Sequence, residues 1–211
     1  MQQSAIFCQN GGSHQLCKDG SPCRPLTQRQ DLDFTRFFDD PLPPAPEITP
    51  ARQQKISEET QIGARNLQDQ GRYIRVVTGS KDRPPAPANA HVLVVEDDEA
   101  TALLLERVLF KNGYKVSTAH NRDEIVASLT RGQLPDLILL DVMLPDTNGF
   151  EVLMRVRANT RLKSTRVMML TSLGAPGDVG RGLALGVDGY LTKPVSPAVL
   201  VQAIRECMGW E

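Results

Sequence analysis

The chain has 211 residues, 40% of them hydrophobic and 23% charged, with 24 Lys and Arg against 25 Asp and Glu. That composition suits a soluble protein with one good core and room for a smaller second one. Residues 1–90 hold 11 basic and 10 acidic side chains, and residues 91–211 hold 13 and 15, so neither half is basic enough to argue for nucleic acid on charge alone. No stretch reaches the roughly 18 consecutive apolar residues of a membrane helix, and the first residues lack a signal-peptide pattern. A cytoplasmic location and no membrane partner are the expectation.

Cys8, Cys17 and Cys23 lie close together with His14 between them, while Cys207 stands alone near the other end. Their spacing fits none of the paired-cysteine zinc patterns, so plain thiols are favoured over a metal site. Asp19-Gly20 is a hairpin turn signal, and Thr27 caps a stretch that carries Leu32, Phe37 and Phe38 on one face. Phe34, Phe37 and Phe38 read as a small core. A proline-rich patch covers 41–50, a helix is predicted over 57–70, starting at Ser57 and Thr60, and a strand over 73–77. Pro84, Pro85 and Pro87 then form a stiff, extended connector over 84–90. The predicted organisation is an N-terminal region, 1–83, poorly specified; a linker, 84–90; and a regular domain, 91–208.

From residue 91 short apolar runs alternate with amphipathic stretches, the pattern of repeated βαβ units. Strands are predicted at 91–95, 115–119, 136–140, 166–170 and 188–191. Helices are predicted at 99–112, 122–131, 149–158, 177–186 and 196–208. The fold class is therefore α/β, a doubly wound five-stranded parallel sheet. The runs 92–95 and 137–140 are apolar without alternation, which suits strands covered on both faces. Gly113 and Gly209 follow helices as natural stops.

The chemistry gathers where these runs end. Glu96 and Asp97 follow the first strand, Asp141 the third, Thr171 the fourth, and Lys193 lies just past the fifth. In an open parallel sheet such positions converge on one crevice. Three carboxylates held together repel by about 4 kcal/mol per pair at 4 Å. An oxygen-rich, open set of ligands suits Mg2+. Asp98 and Glu99 read simply as an acidic helix start. A cation, the Lys193 ammonium and the Thr171 hydroxyl around Asp141 would form a receptacle for a phosphoryl group, with Asp141 as nucleophile.

Four segments carry a resemblance to a known family: VLVVEDD at 92–98, PDLILLDVMLPDTNG at 135–149, VMMLTS at 167–172 and GYLTKP at 189–194. They resemble the receiver domain of two-component response regulators, flavodoxin-like and CheY-like in fold, over about 120 residues. The resemblance implies a phosphoprotein in which Asp141 accepts a phosphoryl group from a sensor histidine kinase or phosphotransfer protein. It implies that Glu96, Asp97, Asp141 and the Met143 carbonyl hold Mg2+ and that Lys193 pairs with the phosphate. It implies a switch through Thr171 and Tyr190, an output surface on the fourth helix and fifth strand of that domain, and a cis bond between Lys193 and Pro194. Met143 and Leu173 occupy the positions that tune phosphate loss; both are apolar, so a slowly hydrolysing phosphoaspartate is expected.

Gly174, Gly177, Gly180, Gly182 and Gly186 crowd the fourth helix of the domain, which predicts a mobile or shortened helix. The N-terminal region loosely resembles a degenerate OmpR/PhoB-type winged helix, but its recognition helix carries only Arg65, where DNA contact wants several basic side chains. Its output is therefore open between DNA and an unknown downstream protein, with a phosphorylation-dependent dimer as a further option. The reading is of a signalling protein and not an enzyme beyond its own phosphorylation and dephosphorylation. An alternative is a Mg2+-dependent phosphatase or phosphotransferase, which would want a second acid where Met143 stands. A flavin or nucleotide binder would want a Gly-rich or Ser/Thr-rich phosphate loop where the acids Glu96 to Glu99 stand.

Overall fold

The computed structural model describes residues 34–70, 75–78, 85–130 and 133–210, with side chains outside 63–70. The expectations for Cys8, His14, Cys17, Cys23, the Asp19-Gly20 turn, Thr27 and Arg65 lie outside the described residues or side chains. In chain order the elements are α1 (Pro50–Gln70), β1 (Arg75–Val77), β2 (His91–Val95), α2 (Glu99–Lys111), β3 (Lys115–Ala119), α3 (Arg122–Thr130), β4 (Leu137–Leu140), α4 (Gly149–Ala158), β5 (Arg166–Thr171), α5 (Pro176–Ala184), β6 (Gly189–Thr192) and α6 (Pro197–Met208).

Every predicted strand and helix after residue 90 is present, with ends moved by no more than two residues. The sheet order is β1-β6-β5-β4-β2-β3, parallel except for β1, which pairs antiparallel with β6. The expected five-stranded parallel sheet thus gains a sixth strand. Without β1, the outer N–H and C=O groups of β6 would form an open edge.

The β2-to-β3 crossover runs one way along the sheet and the later crossovers run the other way. Right-handed connections therefore put α2 on one face and α3, α4 and α5 on the opposite one. Leu105 and Leu109 of α2 and Leu200, Ala203, Ile204 and Cys207 of α6 share a core with Val92, Val94, Leu137, Leu139, Met168, Leu170 and Leu191. Alternation turns Leu93, Val95, Ile138, Leu140, Met169 and Tyr190 to the other layer, all essentially inaccessible. Each such apolar side chain contributes about 1.5–3 kcal/mol on burial. Gly113 (φ +87°) and Gly209 (φ +79°) close α2 and α6 in the left-handed conformation.

The N-terminal region departs most from expectation. Helix α1 begins at Pro50 and not near 57, because Thr49 accepts the Arg52 amide on Oγ1 at 3.3 Å and Pro50 occupies the first helical position. The strand expected at 73–77 is described as Arg75–Val77, and it completes the main sheet instead of forming part of a separate winged helix. Helix α1 packs on α5. Phe34 and Phe37 are buried as expected and stack edge-on, and the Arg155 guanidinium of α4 donates to the carbonyls of Phe37 and Asp40 at 2.8 Å. Residues Asp33–Glu211 thus form one compact unit, and the described part of the predicted connector, 85–90, runs within it. Strand pairing is the reason: β1 finds its hydrogen-bond partner on β6 and no strand of its own region is described beside it.

Candidate functional site

Strands β2 and β4 are neighbours, with Val95 opposite Leu140, so the residues following them emerge side by side. The backbone fixes this directly: the Asp141 amide donates to Val95 O at 2.9 Å. One carboxylate oxygen from each of Glu96, Asp97 and Asp141 falls within a span of 4.8 Å. Glu96 and Asp141 are buried and Asp97 is exposed, which gives the crevice a sealed floor and an open rim. Asp98, set aside above, caps α2 by accepting the Thr101 amide at 2.7 Å, and the hydrogen bonds of the Thr101 side chain and amide together hold its carboxyl below the usual range.

Lys193 reaches this floor from the end of β6. Its Nζ donates to Asp141 Oδ2 at 2.6 Å and to Glu96 Oε1 and Oε2 at 2.9 and 2.6 Å. The Lys193-Pro194 bond is cis, as the resemblance implied. Burial works against the ammonium, but the hydrogen bonds and charges of Asp141 and Glu96 prevail and hold it above its ordinary value. Burial likewise pushes the Glu96 carboxyl up, more than the Lys193 ammonium draws it down.

Asp141 is fixed from its other oxygen. The amides of Val142 and Met143 donate to Oδ1 at 2.6 and 3.2 Å, contacts that no side-chain motif announces. Gly149 is a second feature that sequence reasoning passed over. A Cβ there would lie 2.3 Å from Asp141 O and 2.8 Å from Val142 Cα, so only glycine lets α4 start directly under the Asp141 loop. The Gly149 amide closes that loop by donating to Val142 O at 2.9 Å. Its signal was the Asn148 cap followed by glycine at the first helical position.

Thr171 ends β5 fully buried, with Oγ1 accepting the Leu173 amide at 3.3 Å and its carbonyl accepting the Lys193 amide at 2.8 Å. Tyr190 of β6 is also fully buried, and its hydroxyl donates to Leu173 O at 2.9 Å. Burial, with the charges of Asp178 and Asp141, holds that hydroxyl well above its ordinary value, so it remains a donor. The Tyr190 ring lies against Gly182 of α5, where a Cβ would come within 3.0 Å of Cδ2. Helix α5 spans nine residues, the same length as the glycine-free α3, so its glycines do not set it apart in length. Met143, two residues after Asp141, is 58% exposed, and Leu173, two residues after Thr171, is half-buried.

The response regulator receiver domain matches residues 92–205, more than half of the chain. The chain belongs to the response regulator receiver family. Among curated relatives of this receiver, the transcriptional regulatory protein AfsQ1 of Streptomyces coelicolor is 42% identical over 114 residues, 54% of this chain and 49% of that protein. Response regulator PleD of Caulobacter vibrioides is 38% identical over 117 residues, 56% of this chain and 26% of that protein. The matched part spans about a quarter to a half of such relatives. Among solved structures, the chemotaxis protein CheY4 of Vibrio cholerae is 32% identical with a TM-score of 0.53, covering 57% of this chain and 99% of that one. A CheY-like receiver from Methanospirillum hungatei is 29% identical with a TM-score of 0.51, covering 57% and 94%. Among the described residues no helix is long and apolar enough to cross a membrane.

Proposed function

We propose that this receiver is a phosphoacceptor: Asp141 takes a phosphoryl group from a phosphohistidine on a sensor kinase or phosphotransfer protein. An Asp141 carboxylate oxygen attacks phosphorus, a P–O bond forms, the P–N bond breaks, and its electron pair leaves with the imidazole. The observation that carries this reading is the Lys193 ammonium 2.6 Å from Asp141 Oδ2 in a crevice with two further carboxylates. The acyl phosphate brings new anionic oxygens; Lys193 is the cation beside that carboxylate, and the Thr171 hydroxyl at the end of β5 would be the donor to them.

The donor set also fits Mg2+. Glu96, Asp97 and Asp141 offer one carboxylate oxygen each within 4.8 Å of one another, as a hard cation needs, and by the family resemblance the Met143 carbonyl would add a neutral one. When bound, that cation neutralises charge on the transferred group. Val142 and Met143 amides hold Asp141 Oδ1 in place, so the carboxylate is oriented before the phosphoryl donor arrives. Thr171, Leu173 and Tyr190 form the hydrogen-bonded route by which the new charge reaches α5.

The working unit is the receiver over 92–205 with residues 34–70 and 75–78 built onto it. Signalling is favoured over turnover because Met143 offers no second acid beside the nucleophile. The test is incubation with acetyl phosphate and Mg2+. A single acid-stable, base-labile phosphoryl adduct that Asp141→Asn cannot form is the expected result; an adduct of equal yield on that variant would overturn it.

A further inference from the structure

The loop that carries Asp141 is held from outside by residues the phosphoryl chemistry does not use. From Asp141 to Gly149 the chain doubles back: the Gly149 amide donates to Val142 O at 2.9 Å, and Met143 pairs with Asn148. Asp146 stands exposed at the tip, and its Oδ2 accepts the Arg122 amide at 3.0 Å. Arg122 is the first residue of α3, so this carboxylate supplies an acceptor that a helix start lacks. The Arg122 side chain reaches on to the first turn of α4, where Nη2 donates to Glu151 Oε1 at 3.0 Å. One residue of α3 thus ties down both the tip of the loop and the helix that follows it.

The turn ahead of Arg122 is itself braced. The Glu124 amide donates to Asn121 Oδ1 at 3.0 Å, and the Glu124 carboxylate accepts the His120 amide at 2.8 Å and the Asn121 side-chain amide at 2.9 Å, a reciprocal cap. His120 Nδ1 lies 2.7 Å from Glu96 O, and because a carbonyl only accepts, that nitrogen is the donor. Residues 120–122 therefore bridge the two acid-bearing loops, with Glu96 at one end and Asp146 at the other.

Segment 34–40 secures the Arg122 guanidinium. Arg155 shares Glu151 Oε1 with it, through Nε at 3.0 Å and Nη2 at 2.9 Å, so two cations meet on one carboxylate and repel each other. The carbonyls of Phe37 and Asp40 accept from Arg155 Nη1. The Phe38 ring centroid lies 4.7 Å from Arg122 Cζ and 5.5 Å from Arg155 Cζ, placing its electron-rich face against both. Phe37 meets Phe38 edge-on at 5.1 Å and steadies that ring.

We propose that Arg122 is a positioning residue for the cation site at Asp141, setting the spacing between the Glu96 and Asp141 loops, and that Phe38 keeps it in place. The inference rests on the phosphoacceptor and Mg2+ reading above. Mg2+ demands near-octahedral oxygens at about 2.0–2.1 Å, whereas Ca2+ accepts longer and more variable distances. A slack loop therefore costs Mg2+ more than Ca2+. The preference between the two ions reports how firmly the loop is held, which overall stability alone does not.

The test titrates Mg2+ and Ca2+ into the full metal-free chain by calorimetry. Arg122→Ala should weaken Mg2+ binding by about tenfold, the lower end for outer partners of a metal site, and Ca2+ binding by less. Asp146→Ala changes only an exposed side chain and should lower the Mg2+ preference in the same way, so the test survives if Arg122→Ala fails to fold. Phe38→Ala should weaken Mg2+ by about threefold, the size of one cation–π contact, and Phe38→Tyr should restore it. Adding Phe38→Ala to Arg122→Ala should change nothing further, since the ring acts through the guanidinium. Without metal, amide exchange in Arg122→Ala should quicken by about threefold or more over 142–148 and stay unchanged over 92–95. An unaltered Mg2+-to-Ca2+ preference in Arg122→Ala and Asp146→Ala, or Phe38→Ala losses that add in full to those of Arg122→Ala, would overturn the proposal. An acetyl phosphate adduct on wild-type Asp141 would then leave the phosphoacceptor reading standing. A wild-type chain that takes up neither Mg2+ nor a phosphoryl group would remove both.

Discussion

Lys193 Nζ and Asp141 Oδ2 lie 2.6 Å apart, and the same ammonium reaches both oxygens of Glu96. One cation thus holds two buried carboxylates together across the carboxyl ends of β2, β4 and β6. The ion pair stands where an incoming phosphoryl oxygen would need positive charge, so it both stabilises the resting crevice and prepares its chemistry.

Lys193→Met should destabilise the metal-free protein by about 2–3 kcal/mol, somewhat below the usual cost of breaking a fully buried pair because the side chain is partly accessible. Thermal unfolding measures this. Saturating Mg2+ should recover part of the loss, since a divalent cation replaces the missing charge, while yield of the acetyl phosphate adduct stays low. Full adduct yield in this variant would remove Lys193 from the chemistry.

Glu96 has its folded pKa raised above the ordinary 4.5, chiefly by burial. In the window above 4.5 the folded state therefore holds the proton more tightly than the unfolded chain, and the stability contributed by this group declines as pH rises through its folded value. Mg2+ competes with that proton, so its affinity should weaken as pH falls through the same window. Calorimetric titration at several pH values checks it, with Glu96→Gln showing weaker binding and a flatter dependence. Lys193 has the opposite charge and a pKa raised above 10.5, so the stability from its pairing is complete at neutral pH and is lost only as pH rises through the folded value.

Gly149→Ala places a methyl 2.3 Å from Asp141 O, and backbone must move to make room. A loss of about 3 kcal/mol in denaturant unfolding is expected, together with a large fall in adduct yield because Asp141 is displaced from the Val142 and Met143 amides. Normal yield in a folded variant would show that the loop tolerates the shift.

Two neighbouring glycines in α5 should respond differently to alanine. Gly180→Ala meets only Thr60 Oγ1 at 3.6 Å, an ordinary contact, and should gain about 0.5–1 kcal/mol from helix propensity. Gly182→Ala puts a methyl 3.0 Å from the Tyr190 ring, and that gain should vanish or reverse. Equal stabilisation by both would mean that the ring is free to move.

Met143 and Leu173 offer no hydrogen bond to an attacking water at the crevice mouth. The acyl phosphate should persist for minutes or longer, and Met143→Asn should shorten its life. Loss of the wild-type adduct within seconds would count against this.

Much of the receiver was legible in the residues themselves. Unbroken apolar runs such as 92–95 and 137–140 marked strands buried on both faces, and a parallel sheet brings the residues after its strands together however far apart they lie in the chain. Glu96, Asp97, Asp141, Thr171 and Lys193 could therefore be named before any coordinates. Tyr190 and Met143 came through family resemblance. Gly149 and the amides of Val142 and Met143 were not found, because close backbone approach and main-chain donors leave little mark on side-chain pattern.

The N-terminal segment was settled by tertiary structure. Helix α1 is polar along most of its length, with Ile56 alone as an apolar half-buried residue between 50 and 62, so no periodic stripe declares what it packs against. Three residues of β1 carry no signal of their partner either, since backbone hydrogen bonds are the same for every sequence. Local pattern decided which strands form and which side chains meet at their ends; only the folded sheet, with the outer side of β6 open to pairing, decided that residues 75–77 would lie against Tyr190.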